Sequence, residues 1–417
     1  MNIGLKNLMV LAATLFWIPS ALSAPPERDN PTQAADANNQ LGCDLMRSLQ
    51  DFQKSDVNVV VSPFSITSAL RMVLAGARGG TADEIRAVLR LKSNGKDDHD
   101  DYSALSESLA KSAAEGDCIL RFPNRLWGAE GVDYQPTFLS ILRQTYGAEL
   151  FVLNFADQPK KAVEEINAWI AHETSGRIRN LASPQMITRD TKLLLTNAVY
   201  FRGQWLRSFF VESTVEQPFH VTQDEAVTVA MMRQSGQFRY FRNNDLELLS
   251  LPYRGDRLSF VVLLPSESKM LAELVAEIDA EKIRSLLAES VLTTVDVSLP
   301  RFTAGTSCSL KDRLMQLGMK RVFDSSGELS EITGKSNLYL TDVAHQTFIN
   351  VDEFGIEAAS ATGVVIAKSV EEPSATFTAD RPFLFLLIDQ SAGTVLFQGQ
   401  IQRPASNPET NSGQQDN

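Results

Sequence analysis

The chain has 417 residues, 43% hydrophobic and 22% charged, which excludes a disordered acidic polymer, a collagen-like repeat and a polytopic membrane protein. Lys and Arg number 39 against 51 Asp and Glu, a formal charge of −12, so nucleic acid or another polyanion would meet a repelling field. The basic pairs Lys160-Lys161 and Lys320-Arg321 are too short to form a binding face and read as solvated surface.

In chain order, the first feature is a targeting segment. Lys6 precedes an apolar run from Leu8 to Ile18, followed by Pro19 and the small residues Ala21, Ser23 and Ala24. A basic start, a short apolar stretch and a small-residue cleavage box predict a secretory signal over residues 1–23. The run falls short of the ~20 apolar residues that span a bilayer, so no membrane partner is expected. The expected location is secreted or extracellular, or periplasmic in a Gram-negative cell. Every Asn-x-Ser/Thr pattern is absent apart from Asn30-Pro31-Thr32, which Pro disables, and this points to a bacterial rather than an animal secreted protein. Residues 24–39 and 404–417 are polar and aperiodic and are predicted to be disordered tails around one domain over 40–403.

Leu41, Leu45, Leu49 and Phe52 mark an amphipathic helix. A short strand follows at 58–61, and Ser62-Pro63 opens a second helix with Ile66, Ala69, Leu70 and Val73 on one face. Thr81-Ala82-Asp83-Glu84 has the pattern of a capping box for a third helix. Further helices are predicted at 101–112, 135–146 and 159–174. The second half turns to strands. Residues 192–201 are apolar enough for a strand covered on both faces. Strands 246–253 and 258–264 flank Arg254-Gly255-Asp256, a hairpin turn. Val295, Val297 and Leu299 alternate with polar residues, and 383–388 and 394–400 form a final apolar pair. Helices first and long strands later predict an α+β fold with large, mostly antiparallel sheets.

Catalytic signatures are lacking. The four histidines, His99, His172, His220 and His345, lie far apart, and neither G-x-S-x-G nor G-x-G-x-x-G occurs. Gly334-Lys335-Ser336 imitates the end of a phosphate loop, but Leu329 occupies the place of its first Gly. Cys43, Cys118 and Cys308 fit no metal motif; one disulfide is possible, and buried unreactive thiols are the alternative. No cofactor, no metal and no catalytic residue is expected.

One stretch stands out, from Glu353-Phe354-Gly355 through Ile356, Glu357, Ala358, Ala359, Ser360, Ala361 and Thr362 to Val370. At a period of two, Ile356, Ala358, Ser360, Thr362, Val364 and Ile366 share one uncharged parity, while Glu357 falls on the other. The pattern suits either an ordinary buried strand or a loop that waits outside a sheet and inserts later.

From about Leu41 to Arg403 the chain resembles a serpin, a serine protease inhibitor. The resemblance rests on Asn58-Val59-Val60-Val61-Ser62-Pro63-Phe64-Ser65-Ile66, on the run from Leu193 to Trp205, and on Val297-Ser298-Leu299-Pro300-Arg301-Phe302. His345, the stretch from Glu353 to Thr362, Asp380-Arg381-Pro382-Phe383 and Leu396-Phe397-Gln398-Gly399 add to it. It implies three β-sheets, eight or nine helices and an exposed reactive-centre loop. The implied activity is suicide inhibition: the protease forms a covalent acyl-enzyme on the loop, which then inserts into the main sheet and traps it. Glu353, Gly355, Ile356, Glu357, Ala358, Ala359, Ser360, Ala361 and Thr362 correspond to the hinge, with Ile356 where the family usually has Thr. Ser62, Ser65, Asn197 and His345 correspond to a polar gate between strands. Trp205, Arg301 and Glu353 correspond to the sheet's upper opening, where a solvated Arg301–Glu353 pair would be worth at most ~1 kcal/mol.

The family's hinge length places the cut after Ser369. Counting back from Phe377 favours Lys368–Ser369, and Lys suits a trypsin-like pocket better. A cut within 364–367, suited to elastase-like enzymes, is a third choice. The expected partner is a serine protease bound by a monomer. Heparin is not expected to bind, because the relevant early stretch, Asp97-Asp98-His99-Asp100-Asp101, is acidic. The competing reading, a non-inhibitory carrier or chaperone, would predict a charged or bulky hinge.

Overall fold

A computed structural model describes residues 31–50, 57–91, 97–335, 338–356 and 372–405. The predicted signal and the reactive bond lie outside the described residues, as does all but the start of the C-terminal tail.

The first half is helical: α1 (Pro31–Gln50), α2 (Pro63–Gly76), α3 (Gly79–Leu89), α4 (Asp97–Glu115), α5 (Pro136–Tyr146) and α6 (Pro159–Glu173). The short strands β1 (Val59–Val61), β2 (Ile119–Arg121), β3 (Asn124–Ala129) and β4 (Leu150–Leu153) lie between them. Next come β5 (Leu193–Gln204), β6 (Val215–His220), β7 (Ala226–Arg242), β8 (Leu246–Pro252) and β9 (Leu258–Pro265). Helices α7 (Leu271–Glu277) and α8 (Ala280–Glu289) precede β10 (Val291–Pro300) and β11 (Phe302–Ser309). Short helices α9 (Lys311–Gln316) and α10 (Ser330–Thr333) lead to β12 (Asp342–Asp352), β13 (Gly355–Ile356), β14 (Ala375–Thr378), β15 (Phe383–Asp389) and β16 (Thr394–Ile401). The described residues thus hold ten helices, two of them of six residues or fewer, where eight or nine were expected.

The expected sheets are present as a seven-stranded main sheet, β11-β12-β13-β5-β3-β4 with β2 paired to β5, and a nine-stranded array. Two sheets merge in that array because the 17-residue β7 pairs with β6 and β10 and then, through its last residues, with β8. Between the main sheet and the array lies an aromatic core. Trp205 stacks on Tyr253 at 4.6 Å, and Phe260 stacks on Phe385 at 5.0 Å. Each large buried ring removes enough apolar surface from water to contribute about 2–3 kcal/mol.

Local chemistry explains several boundaries. Ser62 caps α2 by accepting from the Ser65 N–H, and Pro63 takes a first-turn position where a missing N–H costs nothing. The β8–β9 turn passes Gly255 at φ +82 and Asp256 at φ 54, a left-handed pair that Gly and Asp tolerate.

Two sequence expectations need correction. Residues 31–39 are not a disordered tail: α1 begins at Pro31. Asn38 Nδ2 donates to the Val395 carbonyl at 2.9 Å, while Asn39 donates to the Gly393 carbonyl and accepts from the Val395 N–H. This polar stretch is ordered by hydrogen bonds to the turn between β15 and β16, which hydrophobic periodicity does not register. Nor does Thr81-x-x-Glu84 form a capping box. Thr81 lies inside α3 and accepts from the Glu328 N–H at 2.9 Å, and Glu84 accepts from the N–H groups of Lys320 and Arg321.

Candidate functional site: a gate in the main sheet

β5 and β12 run parallel and pair directly from Leu194–Asp342 to Val199–Thr347. Above that seam the two-residue β13 is wedged between them, antiparallel to both: Ile356 pairs with Gly203 and Val351, Gly355 with Gln204 and Asp352. Gly355 has φ +145, and any Cβ there would collide with the Gly203 carbonyl. Only glycine lets the backbone approach β5 so closely. Ile356 is 1% exposed, so its apolar β-branched side chain, the departure from the family's usual Thr, is buried in the core.

Of the four residues expected at the gate, Ser65, Asn197 and His345 meet in the middle of the seam, while Ser62 is joined to them only through the Ser65 N–H. Asn197 and His345 are register partners. His345 Nδ1 lies 2.5 Å from Asn197 Oδ1, and Asn197 Nδ2 donates to Ser65 Oγ and to Asn124 Oδ1, both at 2.5 Å. Since Asn197 offers His345 an acceptor, the imidazole proton resides on Nδ1. Ser65 Oγ is also 3.3 Å from the Ala198 carbonyl, and Ser62 Oγ donates to Leu396 O at 2.6 Å. His345 is fully buried, and its Nε2 has no hydrogen-bond partner among the described residues. Burial pushes its pKa down to about 3, so the ring is neutral at physiological pH. Asn124 was missed from the sequence. It enters through its own pairing with Asn197 across β3 and β5, a contact 73 residues away in sequence.

At the upper opening, Trp205 Nε1 donates to Asp352 O at 2.9 Å and the Trp205 N–H to Phe354 O at 2.9 Å, which pins the turn from β12 into β13. Arg301 forms a short ion pair with Glu353, whose side chain is only 3% exposed against 39% for Arg301. Thr214 Oγ1 also donates to Glu353 Oε1 at 2.6 Å. Burial raises the Glu353 carboxyl, but the hydrogen bonds from Arg301 and Thr214 outweigh it and hold it below the ordinary range. The limit of ~1 kcal/mol for a solvated pair therefore does not apply, because the Glu353 end is buried. Arg301→Ala should cost about 2 kcal/mol, between the limits for exposed and buried pairs. A urea midpoint unchanged from the parent would show that Glu353 is solvated after all.

The hinge residues Glu357, Ala358, Ala359, Ser360, Ala361 and Thr362 and the candidate reactive bonds at Lys368 and Ser369 lie outside the described residues. Cys43, Cys118 and Cys308 are all free, and burial pushes their thiols up to about 12, 11 and 12, which makes them poor nucleophiles.

A main sheet with a parallel seam, a polar cluster inside it and a two-residue strand wedged above it, facing a second sheet array and flanked by helices, defines an α+β architecture. The family profile described as Serpin (serine protease inhibitor) matches residues 36–404, and the chain belongs to the serpin family. It is 36% identical over 380 residues to the leukocyte elastase inhibitor of Bos taurus, covering 89% of this chain and 100% of that one. It is 38% identical over 371 residues to a serpin-like protein of Thermococcus kodakarensis, covering 88% and 85%. Among solved structures, Serpin48 of the insect Tenebrio molitor superposes with TM-score 0.81 at 29% identity, covering 89% of this chain and 98% of that one. Uncleaved ovalbumin gives 0.80, also at 29% identity, covering 89% and 100%.

Proposed function

We propose that this serpin-type protease inhibitor is an exported suicide substrate of serine endopeptidases, acting as a monomer without cofactor or heparin. The protease acylates itself on the exposed loop, and the cut loop enters the seam between β5 and β12. The chain supplies no catalytic group. It supplies stored free energy, released when the sheet gains a strand. The observation that carries the reading is β13, two residues of the hinge hydrogen-bonded on both sides directly above the gate. Continued in the same register, Ala358 comes opposite Phe201 and Ile349, and Thr362 comes opposite both Asn197 and His345. The Thr362 hydroxyl would then lie beside the unpartnered Nε2 of His345 and could donate to it.

For the reactive bond we favour Lys368–Ser369 and a trypsin-like target, because a long cation pairs with the buried carboxylate of that pocket. A second reading is an elastase-like target, cut at Ser369–Val370 or within residues 364–367. It is favoured by the relatives whose names say that they inhibit leukocyte elastase. Mixing the protein with trypsin and with pancreatic elastase, then running a denaturing gel, tests both. Inhibition predicts an SDS-stable complex, and the fragment released from it names the bond by its new amino terminus. Lys368→Ala should slow trypsin inhibition by about a hundredfold or more, since the pocket's carboxylate is left unpaired. Cleaved protein with no complex from either enzyme would favour the carrier or chaperone reading.

A further inference from the structure

The loop that a protease would attack leaves the described residues after Ile356 and rejoins them at Glu372. Each root passes an exposed leucine. At the outgoing root the Trp205 N–H donates to Phe354 O at 2.9 Å, and the next residue, Leu206, is 48% exposed. At the returning root the Ser374 N–H donates to Thr294 O at 2.9 Å. Leu292, two residues before Thr294 and on the same face of β10, is 66% exposed.

Single exposed leucines are ordinary, but these two line one cavity of about 210 Å³. Its floor is Trp205, Phe238 and Leu251, all buried in the core, and its polar lining is Arg207 and Gln237. The walls are held by backbone hydrogen bonds. The Leu206 N–H donates to Pro252 O at 2.8 Å, and Leu292 pairs with Arg239 in the ladder between β7 and β10. An apolar rim over an apolar floor marks a contact site. The cavity is smaller than the roughly 300–1,000 Å³ of small-molecule pockets, and it has room for one large side chain. The exposed Arg207 guanidinium beside it can lie over a ring, so Phe, Tyr or Trp fits better than an aliphatic residue.

We propose that this cavity is an exosite for the target protease: while the loop fills the active site, one aromatic side chain from the protease rim enters between Leu206 and Leu292, with Arg207 against its ring. The proposal rests on the inhibitory reading above. An enzyme clamped on the loop faces both roots, so the contact continues the interface that the loop begins. It strengthens the encounter complex before acylation and adds nothing to the later insertion.

The test follows complex formation by the intact protein as the concentration of trypsin, or of pancreatic elastase, is raised. Leu206→Ser and Leu292→Ser change side chains that are largely in solvent, so both variants should fold as the parent does. Each should raise the half-saturating protease concentration about five- to thirtyfold, the loss of one interface anchor. Arg207→Ala should raise it about two- to fivefold, the range of an exposed cation–π contact. The limiting rate and the inhibitory stoichiometry should stay at the parent's values. Unchanged half-saturation with an enzyme that forms an SDS-stable complex, or a lowered limiting rate in its place, would overturn the exosite while leaving inhibition intact. A parent that sediments as a dimer, with Leu292→Ser a monomer, would also overturn it and give the cavity to a second copy. No SDS-stable complex with either enzyme would overturn the inhibitory reading, and the exosite with it.

Discussion

Ala358→Arg is expected to turn the protein from an inhibitor into a substrate. Ile356 is buried between Gly203 and Val351, and a strand alternates its faces, so Ala358 follows it onto the core side. The continued register sets it against Phe201 and Ile349, at 2% and 1% exposure, in a layer with no acceptor ready for a guanidinium among their side chains. Burying that charge unpaired costs several kcal/mol, and every 1.4 kcal/mol on the insertion barrier is a factor of ten in rate. Hydrolysis of the acyl-enzyme then wins, and the gel should show cleaved protein in place of complex. Glu357→Gln is the control. Position 357 falls on the other parity, opposite the exposed Arg202, so the inhibitory stoichiometry should hardly change. Parent-like complex formation by the Arg variant would refute the register.

The second large effect is a loss of stability in mild acid that originates at His345. Its folded pKa of about 3 lies below the ordinary value of 6.5, because burial disfavours the charged ring. Between those two values the unfolded chain binds a proton that the folded chain refuses. Stability is therefore complete above pH 6.5 and falls with pH by up to ~1.4 kcal/mol per unit toward the folded pKa. By pH 5 the loss should reach about 2 kcal/mol. Glu353 acts in the same sense but lower: its folded pKa is depressed, so its contribution is present above the normal carboxylate range and disappears only as pH falls below it. Urea unfolding at pH 7.5, 6 and 5 separates the two. His345→Gln should be less stable at pH 7.5 but lose the slope between pH 6.5 and 5. A Gln variant with the parent's slope would move the titration to another group.

How much was legible depended on how far each residue's partner lay along the chain. The start of α2 was readable because Ser62, Pro63 and Ser65 satisfy one another within four residues. The β8–β9 hairpin was readable for the same reason, and β5 declared itself by an apolar run with both faces buried. The parity of the hinge was visible because alternation is a property of the strand alone. Ile356, the one residue of the uncharged parity among the described residues, is buried at the mouth of the seam.

Other features depended on partners far away in sequence. Thr81 and Glu84 have the spacing of a capping box, yet their oxygens are taken by backbone N–H groups at Glu328, Lys320 and Arg321, over 230 residues on. A polar segment became the first turns of α1 because Asn38 and Asn39 find carbonyls more than 350 residues away. Sequence motifs named Ser65, Asn197 and His345, but only the β3–β5 register added Asn124 to them. The same is true of burial. Sequence suggested that Arg301 would pair with Glu353, whereas the enclosing turn and Thr214 decided that the carboxylate would be dry. Sequence by itself determined the period-two alternation of the hinge and the local cap at Ser62. Tertiary structure decided which strands adjoin at the seam, which polar groups share it and which carboxylate is buried above it, because those energies arise between groups that only folding brings within hydrogen-bond distance.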